Sequence, residues 1–408
     1  MTKIKPYQVL ILSVLILGTA CKKNLPATVN LSSSPKGAIQ LTSNSGRLIA
    51  FDDNDGTGLS NLLSYDIGSG AVSLNHVSGG SVTTLWNTTG LTLDNGTTIG
   101  LTGYSVTDPY NEVGGVHIIS YDIAGTGHQD HLLVYIPGAG KAYVLAMTGT
   151  PGLWHQVWPV SPTTGIAGYD LASQYDKIIA FELNGTARTA LIAYRPGSGT
   201  CWVIQNQGTA TSPNFVGVVK GSSGIGGFDL KGTSDQLVAV DDNPGSGSSD
   251  LIAYRPGPGL GYVWYMTHAA NSTSFTATYT SHSGLPNFPC NHLGDRIIAY
   301  DLNGSGWQNY LLCYSPGNAA ATVVDAVSGA VASGSPLTST SNFNYPMSSE
   351  PYSHNYVGDK LLGFEGNGGS WGYSTIIGYQ NGTSFDQIYD LALHGVNGNG
   401  TYSFTQVY

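Results

Sequence analysis

The chain has 408 residues, of which 41% are hydrophobic and 10% charged, and it carries a net charge of −10. A disordered chain combines low hydrophobicity with high charge, so this composition excludes one. The acidic balance also gives no electrostatic reason to bind nucleic acid or an anionic membrane surface. The 56 glycines, the abundant Ser, Thr and Tyr, and the few charges favour short strands and turns over helices.

The N-terminal residues 1–21 have the features of a bacterial lipoprotein signal peptide. Two lysines form a basic head, an apolar stretch follows, and Gly18-Thr19-Ala20 precede Cys21. We therefore predict an exported protein that is lipidated at Cys21 and anchored to the bacterial cell envelope, with the outer membrane as the expected location. An ordinary secretory peptide with an incidental cysteine is the alternative. Residues 22–38 are polar and lack periodicity, so they are predicted to form a flexible tether.

From residue 39 to residue 408 the chain repeats one strand–loop–strand pattern six times. The clearest copy is DRIIAYDLNGSGWQNYLLCY, which starts at Asp295, and the first copy starts at Gly46 as GRLIAFDDNDGTGLSNLLSY. The residue that ends the first strand recurs at intervals of 70, 60, 59, 60 and 64 residues, at Phe51, Tyr121, Phe181, Val240, Tyr300 and Phe364. Self-similarity at such a period indicates an array of supersecondary units that pack on their neighbours.

Each unit is predicted to hold four short strands, which in the third unit are Lys177–Phe181, Ala190–Tyr194, Cys201–Gln205 and Asn214–Val219. We therefore predict an all-β fold: one six-bladed β-propeller of four-stranded antiparallel blades over residues 39–408. Seven blades are possible if the insertion between the first and second units hides a degenerate blade. A parallel β-helix is the other alternative, but its rungs are shorter than this repeat. The ring is expected to close without exchange of a strand between the first and last blades.

The loop of the fifth unit places oxygen-bearing residues at alternate positions before a glycine, as loops that wrap calcium do: Asp301, Asn303, Ser305 and Asn309. This strand–loop–strand unit resembles the FG-GAP/VCBS repeat of integrin-type propellers over about residues 40–408. The resemblance implies that loop positions one, three, five and nine coordinate calcium in many blades.

Carried over by position, the resemblance gives further candidate ligands unevenly. They are Asp53, Asp55 and Asn61 in the first unit, Asp122 and Asp130 in the second, and Asp242 and Asp250 in the fourth. All six loops have a hydroxyl or glycine where the family has its central Asp. Because affinity follows the number of carboxylates, we expect calcium binding of roughly millimolar strength at best. The alternative is a metal-free turn in which these side chains bond their own backbone.

Aromatic side chains provide the second candidate site. Trp307 and Trp371 lie between the loop glycine and the second strand of their units, where the fold would expose them. An exposed indole offers a flat face for stacking on a sugar ring, and Gln308 and Tyr310 stand beside Trp307 as hydrogen-bonding partners. Trp154, in a fourth strand, is expected on the outer rim.

No catalytic residue is assigned, and the chain is predicted not to be an enzyme. The segment at 368–372 matches G-x-S-x-G but lies between two strands, whereas a nucleophile elbow needs a strand-to-helix turn. The sequence therefore predicts an envelope-anchored, monomeric binding protein that recognises carbohydrate through its loop aromatics. The alternatives are an adhesion scaffold for an extracellular protein partner and, third, a polysaccharide-active enzyme. Cys201, Cys290 and Cys313 are odd in number and so cannot form a closed disulfide framework, although a Cys290–Cys313 bridge is conceivable.

Overall fold

A computed structural model of the chain describes eighteen stretches of it. They are residues 46–52, 61–78, 81–104, 106–108, 112–126, 128–160, 164–183, 189–240, 249–286, 288–300, 308, 310–316, 320–325, 338–343, 360–364, 375–379, 388–394 and 403–406. These residues belong to one compact unit. Nowhere in these stretches is there a helix long and apolar enough to cross a membrane. Cys201, Cys290 and Cys313 are buried free thiols, so the conceivable bridge between the last two is not formed.

Four consecutive antiparallel strands form each of six sheets, which we number in chain order. The strands of sheets 1 to 3 are β1 (Gly46–Phe51), β2 (Asn61–Asp66), β3 (Ala71–Ser78) and β4 (Ser81–Thr89), then β9 (His117–Tyr121), β10 (His131–Ile136), β11 (Lys141–Met147) and β12 (Leu153–Trp158), then β13 (Lys177–Phe181), β14 (Ala190–Arg195), β15 (Thr200–Asn206) and β16 (Phe215–Gly221).

The strands of sheets 4 to 6 follow the same order. They are β17 (Gln236–Val240), β18 (Asp250–Arg255), β19 (Tyr262–His268) and β20 (Phe275–Ser281), then β21 (Arg296–Tyr300), β22 (Tyr310–Ser315), β23 (Ala320–Asp325) and β24 (Thr338–Phe343), then β25 (Lys360–Phe364), β26 (Thr375–Tyr379), β27 (Ile388–His394) and β28 (Ser403–Gln406). The first strand of each sheet pairs on one side only within its sheet, and we call these six the inner strands. The prediction of an all-β propeller of four-stranded antiparallel sheets is confirmed.

The insertion between sheets 1 and 2 forms four short strands, β5 (Leu91–Leu93), β6 (Thr98–Ile99), β7 (Val106–Asp108) and β8 (Val113–Gly114). β5 pairs in parallel with β12 and so extends the outer edge of sheet 2, with β6 beyond it. β7 and β8 pair only with each other. The described part of the insertion therefore forms no four-stranded sheet of its own, and the predicted alternative of a blade hidden there is wrong.

The inner strands follow one another around a closed ring. β1 lies beside β9, β9 beside β13, and so on to β25, which lies beside β1. The core between the last and first sheets contains Leu48, Leu62, Ile377 and Tyr379. Both sheets keep all four of their own strands, so the ring closes by packing without strand exchange.

A buried tyrosine at or near the end of each second strand ties its sheet to the next. The Tyr65 phenol oxygen accepts the Ile118 amide at 3.2 Å, and the Tyr194 oxygen accepts the Leu237 amide at 3.1 Å. The equivalent tyrosines bond the backbone of Ile178, Ile297, Leu361 and Leu48 from Tyr135, Tyr254, Tyr314 and Tyr379. A buried hydrogen bond contributes about 1 kcal/mol, so the set fixes the register between sheets.

Carboxylates just before the inner strands fix the connectors that lead into them. Asp176 is 1% exposed and accepts two hydrogen bonds from Arg195, at 2.7 and 2.9 Å. Asp235 and Arg255 repeat this arrangement in sheet 4. In sheet 5 a serine hydroxyl, that of Ser315, bonds the carboxylate of Asp295 instead. The lead-in to three inner strands is therefore held in place by buried polar contacts.

Candidate functional site

Six structurally equivalent residues of the inner strands face the six tyrosines in the strand register. We call them the inner polar ring: Arg47, His117, Lys177, Gln236, Arg296 and Lys360, which pair with Tyr65, Tyr135, Tyr194, Tyr254, Tyr314 and Tyr379. Equal register places them at one level around the axis. Four of the six are Lys or Arg and none is acidic.

Contacts between neighbouring sheets join members of this ring. Lys177 Nζ donates to Gln236 Oε1 at 2.8 Å, which links β13 to β17. The Glu112 carboxylate contacts Lys360 and lies 3.7 Å from Arg47 Nε. Glu112 has a φ of 53°, a conformation that residues other than glycine rarely adopt. Such strain is found where the surrounding structure imposes it, and functional sites are among those places.

The cations of the ring are largely withdrawn from solvent. Arg47 is 7% exposed and Lys177 is 9% exposed. Moving such a charge out of water costs several kcal/mol unless an opposite charge or a set of hydrogen bonds offsets it. The Glu112 carboxylate forms ion pairs with two of these cations, Arg47 and Lys360. Its side chain is 35% exposed, so solvent screens it more than it screens the cations.

The acidic residues that precede the inner strands do not neutralise the ring, because they bond elsewhere. Asp176 binds Arg195 and the Tyr169 hydroxyl. Asp235 binds Arg255, and its neighbour Asp229 binds the same guanidinium. These carboxylates are committed to the connectors, so positive charge prevails at the level of the ring.

Burial is the main cause of the pKa shifts of two ring members, and nearby cations act in the same direction. Burial, together with the charges of Arg47 and Lys177, lowers the pKa of His117 to about 3. Burial, followed by the charge of Arg47, holds the pKa of Lys360 well below its usual range. His117 is therefore neutral at pH 7. Its Nε2 donates to the Gly114 carbonyl at 3.0 Å, and its ring stacks on Tyr135 at 4.9 Å.

This arrangement has the chemistry of a receptor for a small anion. Guanidinium and ammonium groups donate charge-assisted hydrogen bonds to carboxylate and phosphate oxygens, and burial strengthens them. The sequence does contain a signal, since a charged or polar residue precedes the aliphatic residues in each unit, as in DKIIAF from Asp176. We missed it because a lone charge at a strand end usually faces solvent.

The aromatic site predicted from the sequence lies mostly outside the described residues, as Trp307 and Trp371 do. Gln308 and Tyr310 are described and are half-buried. Tyr310 pairs with Tyr300 and Asp325 inside sheet 5, so its backbone belongs to the sheet and not to an open loop. The grouping of these residues as a site therefore stays a prediction. Cys21 lies outside the described residues too, and its lipidation stays a prediction.

The predicted calcium ligands that the structure describes bond other groups of the chain. Asp122 Oδ1 accepts the amides of Gly125 and Thr126 at 2.7 and 3.1 Å. Asp250 accepts the Tyr265 hydroxyl and the His268 amide, both at 2.9 Å. The remaining two bond histidines: Asp130 bonds His131, and Asn61 bonds His76.

Within the described part of the chain no group of three or more His, Cys, Asp and Glu could hold a metal ion. Calcium binding in the second and fourth loops therefore stays a prediction. The other candidates, Asp53, Asp55, Asp242, Asp301, Asn303, Ser305 and Asn309, lie outside the described residues, and calcium there stays a prediction.

No family model and no curated protein matches this chain. The FG-GAP/VCBS resemblance is thus not shown. Solved structures do match over most of the chain, at low identity. A putative 6-phosphogluconolactonase from Bacteroides fragilis is 12% identical with a TM-score of 0.39, and covers 88% of this chain and 86% of its own. The periplasmic gluconolactonase PpgL of Pseudomonas aeruginosa is 13% identical with a TM-score of 0.43, and covers 90% and 85%. Kluyveromyces lactis Hsv2 is 7% identical with a TM-score of 0.39, and covers 89% and 98%.

The names of these solved structures contradict the predicted function. Similar structures whose names state an activity include lactonases, and the prediction of a carbohydrate-binding protein with an adhesion scaffold as its alternative is therefore wrong. At these identities and TM-scores the likeness concerns the arrangement of strands. No activity is carried from those proteins to this chain.

Proposed function

We propose that the protein binds a small anionic ligand, a carboxylate or a phosphate, at the inner polar ring. One observation carries the proposal: four Lys or Arg side chains converge at one level of the axis. The whole chain has only 15 such residues and a net charge of −10. A mainly acidic protein that gathers its scarce cations in a partly buried ring creates a local field attractive to anions.

The members of the ring have different roles in this proposal. Arg47 and Lys177, both more than nine-tenths buried, supply charge-assisted donors in a region of low dielectric. The Gln236 amide receives Lys177 and so aims its ammonium group. Neutral His117 adds no charge but lines the same level. Glu112 holds Arg47 and Lys360 from one side, and an anion would complete the neutralisation from the axis.

The test compares gluconate with glucose, which differ in charge but little in size, by titration calorimetry at low salt. We expect heat of binding for gluconate, none for glucose, and weakening as salt is raised. Lys177→Gln should lower the affinity about tenfold or more, because a hydrogen bond to a charged group contributes roughly 1.5–3 kcal/mol.

Lys220→Gln is the matched control, with the same charge change at a lysine that lies over the Trp202 ring and outside the inner polar ring. It should bind gluconate as the parent protein does. Equal weakening in both variants would reduce the effect to net charge, and absence of gluconate binding would refute the proposed function.

A second candidate function is hydrolysis of a sugar lactone, favoured by the strained Glu112 beside two cations. Its carboxylate would take a proton from water as that water adds to the lactone carbonyl. Arg47 and Lys360 would stabilise the oxyanion, and the ring C–O bond would then break with return of the proton to the leaving oxygen. The product is a carboxylate, the group that the ring is proposed to hold.

A hydrolysis assay on gluconolactone, in which the released acid is measured, distinguishes the two functions. An enzyme should lose most of its rate on Glu112→Gln, while gluconate binding persists. If the parent protein hydrolyses the lactone no faster than buffer does, the enzyme function is refuted and the binding function remains.

The finer features of architecture and location belong to the same proposal. The closed succession of inner strands supports six sheets acting as six blades of one ring. Export and anchoring are supported by the sequence around Cys21, and mass spectrometry of the mature N-terminus would reveal the acyl groups. An unmodified N-terminus at another residue would refute the anchor.

A further inference from the structure

Beyond the inner polar ring, each inner strand continues with the same succession of residue types. Two residues after the ring member comes an aliphatic residue that is partly exposed in every sheet: Ile49, Ile119, Ile179, Val238, Ile298 and Leu362. Equal register with β2, β10, β14, β18, β22 and β26 places the six at one level. We call them the aliphatic collar.

The next position holds a small residue in every inner strand. These are Ala50, Ser120, Ala180, Ala239, Ala299 and Gly363, and all except Ala239 are half-exposed. The residue after that is aromatic in every sheet except the fourth, which has Val240, and it is buried where its side chain is described, as Phe51 and Tyr121 are. The side chains therefore occupy little volume at the level that follows the collar.

The exposure of the collar needs an explanation, because aliphatic side chains in the middle of a fold are normally buried completely. The inner strands are the edges of their sheets beside the axis. Five collar residues also pack against the cores between sheets, namely Ile49, Ile119, Ile179, Val238 and Leu362, so we take only the exposed part of each to face the axis. Apolar surface that is exposed to water there is unfavourable by about 25 cal/mol per Å². A ligand with an apolar part would remove that surface from water.

We infer that the ligand of the inner polar ring is an alkyl carboxylate whose unbranched chain lies along the axis past the aliphatic collar. The inference rests on the proposed function and specifies the class of anion. Successive strand residues rise about 3.3 Å, so the ring and the small-residue level are about 10 Å apart. The cations of the inner polar ring favour a ligand with an anionic head group. The aliphatic collar favours an apolar tail on that ligand over a polyhydroxylated one.

The experiment measures binding of acetate, decanoate and decanol to the full mature chain, below the concentration at which decanoate forms micelles. Acetate presents the head alone, and decanol presents the tail alone. We expect decanoate to bind at least a hundredfold more tightly than acetate, since each buried methylene contributes roughly fourfold. Decanol should bind weakly, because it lacks the charge.

Variants separate the head from the tail. Ala180→Leu and Ala299→Val narrow the small-residue level and should weaken decanoate at least tenfold while acetate is unaffected. Ala139→Leu, in an exposed turn, is the matched control and should change neither. Lys177→Gln should weaken both carboxylates. Circular dichroism and the Tm of each variant establish that it is folded. If Ala180→Leu does not fold, the milder Ala299→Val tests the same level.

Each result has a distinct meaning. Equal affinities for acetate and decanoate, both lost in Lys177→Gln, would overturn the alkyl chain and leave the anion site. Decanoate binding that is insensitive to both narrowing variants would overturn the axial position of the tail. Failure of every carboxylate, gluconate included, would overturn the proposed function and this inference together.

Discussion

The two ends of the inner strands treat charge in opposite ways. At the end where these strands begin, cationic side chains from separate sheets converge on one axis. At the end where they finish, carboxylates bond within their own sheet or to the neighbouring loop, as Asp250 does with Tyr265 and His268. Polar groups that are satisfied locally stabilise a fold, whereas like charges gathered from distant segments create a local positive field. This comparison is the basis for proposing a structural role for one end and a binding role for the other.

The largest effect at the structural end should follow from removing Asp250, which is 5% exposed. Asp250→Ala deletes the acceptor of two hydrogen bonds in a buried setting, and we expect a loss of about 3 kcal/mol in the free energy of unfolding. Urea denaturation measures it. Asp250→Asn keeps one acceptor oxygen and should cost less.

Anion binding should be unchanged in folded Asp250→Ala, because Asp250 lies at the opposite end from the inner polar ring. Loss of gluconate binding in this variant at a temperature where it is folded would break the division between the two ends.

Histidines at the two ends should give stability opposite dependences on pH. The folded-state pKa of His117 is about 3, against 6.5 as its ordinary value, so the unfolded chain takes up this proton first. Stability is therefore fully present above pH 6.5 and falls as the pH drops toward 3. By pH 5 the loss from this group is about 2 kcal/mol.

Comparison with His117→Gln isolates this contribution, because the other acid-sensitive groups cancel. The variant should lose less stability than the parent between pH 7.5 and pH 5 in urea denaturation. Parallel curves for the two proteins would contradict the lowered folded-state pKa of His117.

Asp122 offers a smaller test, of whether the loops at the structural end need metal. Its carboxylate accepts the amides of Gly125 and Thr126. Asp122→Ala should therefore destabilise the fold by about 1–2 kcal/mol, the usual cost of such a loop contact. The loss should be equal in calcium and in EDTA, whereas a loss seen only in calcium would restore a metal to this loop.

The strand pattern was readable from the sequence because it recurs locally in every unit. In the third unit the predicted strands Lys177–Phe181 and Ala190–Tyr194 match β13 and β14 to within one residue. The inner polar ring was not readable, because its members are about sixty residues apart in sequence and meet only when the ring closes. The signal lies at the first position of the inner strand, which is equivalent in all six units, and not in the loop.

Trp154 shows the other kind of failure. It was expected on the outer rim as part of a fourth strand, but it is completely buried and makes edge contacts with Phe51 and Trp86. The cause is β5, which pairs beside Trp154 through Leu93 and turns a rim position into an interior one. An insertion without repeat partners leaves no pattern from which its docking site could be predicted.

The smallest expected effect concerns His128, the counterpart of His117 at the structural end. Its Nδ1 lies 2.6 Å from Asp52 Oδ2, across from sheet 2 to sheet 1, and this hydrogen bond raises its pKa. A raised folded-state pKa means stability that is present below the unfolded value of 6.5 and lost as the pH rises through the folded value. The side chain is 41% exposed, so solvent screening limits the effect to less than about 1 kcal/mol. His128→Gln should therefore remove a slight stabilisation at pH 5.5 and none at pH 8.5, the reverse of His117→Gln. If both histidine variants changed the pH dependence of stability in the same direction, the histidines at the two ends would not respond oppositely to pH. The contrast between a locally neutralised end and a cationic end would then fail.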